Sequence, residues 1–282
     1  MRPVPSLPTV LGRIILAELK KLLASRLGWA GLLFLFVVSA MVTLAVDLVS
    51  VNVSEQAGGE PSSLPDAIAW TLRIRNFYLA QVWLLVLSAV SFAGEFSGRT
   101  LREDVARAVP RWALLFAKWV GLTAWSGFAL FGQTVVTLLF GIGALSTGSG
   151  EGWSVAASGL LGTLLADASF VAVALLVAVL TRRVAPAVVA TALFIGIERA
   201  FAASLFVVKN LDQEVIDLLA PGVPLGQIAN AILPYSPANA WAIGTSLATG
   251  TEVQTVTYVA LASWTILAAG LAALRFERVD VP

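Results

Sequence analysis

The chain has 282 residues, 58% of them hydrophobic and 12% charged, a balance too apolar for a soluble domain and expected of a protein whose main solvent is lipid. Eighteen Lys and Arg against seventeen Asp and Glu leave a net charge of +1, so no basic excess supports nucleic-acid binding. Without Cys or His there is no disulfide, thiolate zinc site, Ser/His/Asp triad, Cys/His dyad or imidazole haem ligand.

Residues 10 to 26 place Leu11, Ile15, Leu19, Leu22 and Leu23 on one helical face, with Arg13, Lys20 and Lys21 on or beside the opposite one. This pattern predicts an amphipathic helix on the membrane surface rather than a bare topological flank. A helix needs about 20 apolar residues to cross roughly 30 Å of hydrocarbon. Six stretches qualify: 27–46, 77–93, 120–145, 159–180, 186–208 and 255–274. The segment before the first is too long and charged for a secretory signal, so the first span is expected to be retained. Fourteen of the eighteen basic residues fall on one side of these spans: in 1–26, in 95–118, at Arg182 and Arg183, and at Arg275 and Arg278. Arg73, Arg75 and Lys209 fall on the other, and Arg199 within the fifth span. The positive-inside rule then puts both termini in the cytoplasm. The expected fold is an all-α polytopic membrane protein of six transmembrane helices, one permease domain over 1–282.

The connection between spans two and three is the most informative. Thr100 and Glu103 form a capping box that starts a short helix, and Pro110 ends it. Leu101, Val105 and Ala108 line one side of that helix, while Arg99, Glu103 and Arg107 share another, a pattern suited to docking in a partner's groove. An ordinary charged loop fits the spacing equally well. The run Glu95-Phe96-Ser97-Gly98-Arg99-Thr100-Leu101, with Pro110-Arg111-Trp112 and Lys118 after it, resembles the same segment of type-2 ABC exporter permeases. Those proteins commonly show an E-x-x-S-G-T-L-like run, a P-x-R element and a Lys entering span three. Here Arg99 separates Gly98 from Thr100, and Pro110 directly precedes Arg111.

The resemblance implies two membrane subunits, identical or homologous, each driven by one of two copies of a cytosolic ATPase through a coupling helix, with membrane lipids around them and no nucleic acid. Glu95, Ser97, Gly98, Thr100, Leu101, Arg102, Glu103 and Arg107 would form the coupling segment over 95–110, beside a connecting helix at 10–26. Glu95→Ala or Arg102→Glu would uncouple transport with the fold intact. The chain has no G-x-x-x-x-G-K-[ST] loop, so ATP and Mg would be bound by the partner, and no cofactor or enzymatic activity is expected in this chain. The composition suits a bacterial inner membrane.

Residues 209–254 carry Asp212, Glu214 and Asp217 before a Pro- and Gly-broken apolar stretch too short to span; the resemblance implies an external gate here, and an interfacial cap that only seals the dimer is the plainer alternative. Within the spans, Asp167, Glu198 and Arg199 each cost roughly 2.5–3.5 kcal/mol if they face lipid at the bilayer centre, so they are expected to face protein or water. A salt bridge from Glu198 or Arg199 to another span, with Asp167 as one candidate member, is the plainer expectation, and a substrate or proton site the sharper one. The glycines of span three, Gly121, Gly127, Gly132, Gly141 and Gly143, allow close helix approach. A second reading within the same fold is a membrane subunit that passes ATPase work to an extracytoplasmic partner; an ion-coupled carrier using Asp167 and Glu198 fits less well, since no internal repeat is visible.

Overall fold

The computed structural model describes residues 7–57, 62–97, 110–211, 223–237 and 253–278. Apart from isolated backbone bridges, the regular structure there is helical: α1 (Leu7–Ala24), α2 (Arg26–Ala57), α3 (Leu64–Ile74), a π-helical turn (Arg75–Leu79), α4 (Ala80–Ser97), α5 (Arg111–Gly141), α6 (Gly150–Thr181), α7 (Val184–Asn210), α8 (Leu225–Ile232) with a 3₁₀ turn (Leu233–Tyr235), and α9 (Thr255–Glu277). Five helices are long and apolar enough to cross a membrane. There are six if α3 and α4, bent by 50° to one another, make one broken span.

The spans alternate in direction, so α1, the end of α4, the start of α5 and the end of α9 gather at one end of the bundle. The end of α2, the start of α3 and the α5–α6 turn lie at the other. Span α6 is the central helix and packs against α3, α4, α5, α7 and α9. Its middle is buried without a break from Ala166 through Leu175, and apolar there except for Asp167 and Ser169. The outer faces of α2, α7 and α9 instead expose Leu33, Met41, Ile197 and Ile266, as helices bathed in lipid do.

Helix α1 docks on α5 rather than lying alone. Leu22 is buried and Ile14 packs against the core, while Leu16 and Leu23 stay exposed, so Leu23 is not on the packing face that its spacing predicts. Close approach comes from glycine: a Cβ on Gly121 of α5 would sit 3.3 Å from the Glu18 Cβ. One on Gly132 would overlap the Phe36 ring of α2. The small residues of α5 thus serve packing within the chain.

The largest departure from the predicted elements is span two. Helical structure starts at Leu64, ahead of the predicted 77–93 stretch, because Ser63 and Asp66 form a reciprocal capping box with Pro65 in the first turn. The Ser63 amide donates to Asp66 Oδ2 at 2.9 Å. The start of α3 is pinned to the α5–α6 turn by the Leu64 amide, which donates to the Ser146 carbonyl at 2.9 Å.

Candidate functional site

Two buried polar networks, one at the α1 end of the bundle and one in its middle, hold most of the charge inside the described residues. The first is a ring of alternating sign. Lys118 of α5 is 2% exposed and donates to Glu18 Oε2 of α1 at 2.9 Å; its ammonium lies 2.8 Å from Glu95 Oε1 of α4. Lys21 closes the ring at 2.8 Å from Glu18 Oε1 and 2.9 Å from Glu95 Oε1. A third Lys118 donor reaches the Ser91 carbonyl at 3.2 Å, and its charge lies over the Phe92 ring. Two cations and two carboxylates cancel, and three helices are tied at one point.

Burial alone would push the Glu18 carboxyl up, but the Lys118 charge and hydrogen bonds from Lys21 and Lys118 outweigh it, and it stays below its ordinary value. Burial likewise acts to lower Lys21, and its hydrogen bonds to Glu18 and Glu95 hold it above the ordinary lysine value.

Glu95 therefore turns inward, toward Lys118 and Lys21. Its removal leaves a buried cation short of one partner, so Glu95→Ala is expected to cost stability as well as coupling. Ser97 closes α4. Gly98, Thr100, Leu101, Arg102, Glu103, Arg107 and the helix predicted over them lie outside the described residues. What the structure fixes is the frame around that segment: Glu95 precedes it and Lys118 follows it in the same ring. Arg111, just after Pro110, donates to the Phe276 and Glu277 carbonyls at 3.2 and 3.0 Å, satisfying orphan acceptors at the end of α9.

The second network centres on Arg75, fully buried. Its guanidinium donates to Asp167 Oδ1 at 3.2 Å and to Asp167 Oδ2 at 2.5 Å, to Gln133 at 2.9 Å and to Ser126 at 3.0 Å. Ser126 also donates to Asp167. Gln133 passes the network to Ser39 of α2 at 3.0 Å, and Asn76 passes it to Thr163 of α6 at 3.0 Å. This corrects two expectations. Asp167 is neutralised by Arg75, not by Glu198 or Arg199, and Arg75 is not an external loop charge.

The π turn makes this possible. The Ala80 amide donates to the Arg75 carbonyl five residues back, and the wider turn marks where the broken span bends and its polar side chains enter the core. Arg199 of α7 approaches the same turn, donating to Gln81 at 2.5 Å and to the Asn76 carbonyl at 3.3 Å. Glu198 faces away, toward the segment after α8, where the Ser236 hydroxyl donates to its Oε2 at 3.3 Å. Among the described residues no group of three or more potential metal ligands occurs.

The architecture is that of a multi-pass helical membrane protein whose buried charges among the described residues, Glu18, Arg75, Lys118 and Asp167, pair across helices. The family model for the ABC-2 family transporter protein matches residues 14–198, from α1 into α7 and more than half of the chain. The chain belongs to this family and is a permease subunit of an ABC transporter. No curated protein matches it.

Proposed function

We propose that the chain is the membrane subunit of an ATP-driven exporter in a bacterial cytoplasmic membrane, paired with a second permease subunit, identical or homologous, and with two copies of a separate ATPase that binds ATP and Mg. Both termini and the 98–109 segment face the cytoplasm, in line with the distribution of Lys and Arg. The chain performs no covalent chemistry; it exposes a path between two subunits alternately to either side.

The observation that carries this reading is the Glu18–Lys118–Glu95–Lys21 ring. It clamps both helices that flank residues 98–109, and α1 with them, at their shared end. A push delivered to that segment by nucleotide-driven closure of an ATPase moves α1, α4 and α5 as one body. That is what a coupling element requires. A loop that only returned the chain to the membrane would need no such clamp.

The test is a mild-detergent pull-down of the tagged chain from native membranes, read by mass spectrometry. A Walker-motif ATPase is expected with the wild-type chain and is lost with Leu101→Asp, whose change lies outside the ring. Recovery of no ATPase in several detergents, together with gradient-driven uptake that needs no ATP, would replace this reading with an ion-coupled carrier.

A further inference from the structure

Beside Glu198 lies a cavity of about 270 Å³, lined by that carboxylate with Phe201 of α7, Ile232 of α8, Tyr235 and Ser236 after it, and Trp264 of α9. The Trp264 indole N–H donates to the Tyr235 carbonyl at 3.0 Å, which fixes the rim where α9 meets the segment after α8. Three aromatic residues and one carboxylate therefore converge on one opening that neither buried network uses.

Among the described residues the carboxylate has no countercharge. Among the described residues Glu198 has one polar partner, the Ser236 hydroxyl, and no ion pair. Arg75 is engaged with Asp167, Arg73 stacks on Trp70 at 4.7 Å, and Arg199 is directed to Gln81 and the Asn76 carbonyl. Lys209 is eleven residues further along the same helix, roughly 16 Å away. Residues 212–222 and 238–252, the remaining chain on either side of α8, contain no Lys or Arg. An ionised carboxylate at this depth with a single hydroxyl donor is costly. A positive charge brought by a ligand removes that cost, and the faces of Phe, Tyr and Trp add attraction for the same charge.

We infer that this cavity binds an amphipathic organic cation: a protonated or quaternary amine whose charged head meets Glu198 while its apolar body rests on Phe201, Ile232 and Trp264. The inference rests on the exporter reading only in making that cation the cargo; the binding itself needs no ATPase.

The experiment measures equilibrium binding of radiolabelled dodecyltrimethylammonium to the full chain in phosphatidylcholine nanodiscs, with empty discs subtracted and dodecanol as uncharged competitor. Saturable binding that dodecanol does not displace is expected, weakened about tenfold or more by Glu198→Gln and by Trp264→Leu. Equal binding by wild type and Glu198→Gln, or displacement by dodecanol, overturns the site. Because either variant can perturb folding, the wild-type chain is also labelled with a diazirine-bearing analogue of the same cation. Adducts are expected in 198–201 or 231–237, and adducts confined to other regions overturn the inference. Loss of saturable binding in chain that still captures its ATPase rejects the site and leaves the exporter reading standing. Binding without any ATPase in the pull-down does the reverse.

Discussion

Lys118 is the residue on which the α1 end depends most. It sits 2% exposed between two carboxylates, and its replacement by Met leaves Glu18 and Glu95 facing each other with Lys21 alone to neutralise both. Breaking a buried pair in this way costs about 3–5 kcal/mol, so Lys118→Met is expected to lower thermal stability in detergent far more than Lys20→Met, whose side chain is exposed. The ring also sets a pH dependence. Glu18 has a folded-state pKa below its ordinary 4.5, so its contribution is complete above that value and is lost as pH falls through the folded one. Lys21 is held above its ordinary 10.5, so its contribution is complete below that value and is lost only as pH rises past the folded one. Melting temperature is expected to be flat from about pH 6 to 9 and to fall in acid, with a shallower acid fall in Glu18→Gln. Asp167→Asn strands the Arg75 charge in the core and is expected to cost about 3–5 kcal/mol, part of which returns in the Arg75→Met, Asp167→Leu double variant. A double-mutant cycle by chemical denaturation measures that return.

At the scale of elements, helix packing is decided by small residues on α5. Gly132→Leu forces the Phe36 ring of α2 aside and is expected to destabilise by about 1–3 kcal/mol. Gly12→Ala on α1 meets nothing within 4 Å and is expected to stabilise that helix by at most about 1 kcal/mol; tryptophan-monitored melting separates the two. Most long helices were legible in the hydropathy because a lipid-facing helix must be apolar over its whole length, and α1 was legible in its stripe. Helix α3 was harder, since it is short and lies among Ser, Pro and acidic residues. Its signal, Ser63-Leu64-Pro65-Asp66 ahead of an apolar run, is the same capping logic that marks Thr100 and Glu103. The π turn at Arg75–Leu79 left no local trace, and neither did the pairing it allows between Arg75 and Asp167, 92 residues away. The same limit hid the ring: Glu95 and Lys118 stood out through their motif, but Glu18 belongs to no motif and meets them only in the packed structure. The convergence of Glu198, Ser236 and Trp264 likewise belongs to packing, not to spacing.

Across the whole molecule, buried charge is divided between the middle of the bundle and its α1 end. The Arg75 network links α2, the π turn, α5 and α6 into one polar-pinned core. The ring gathers α1, α4 and α5 around the segment at which an ATPase would act. The central claim is that residues 98–109 are where that ATPase docks. Because the chain has no Cys of its own, site-specific chemistry on it is unambiguous. The most direct measurement places a photocrosslinking amino acid at position 102, and separately at position 209, in chain purified together with its ATPase, and identifies the adducts by mass spectrometry. An ATPase adduct from position 102 and none from position 209 is the predicted result. An adduct from 209 alone, or none from 102 while the two proteins still co-purify, would contradict the assignment of this segment as the coupling element.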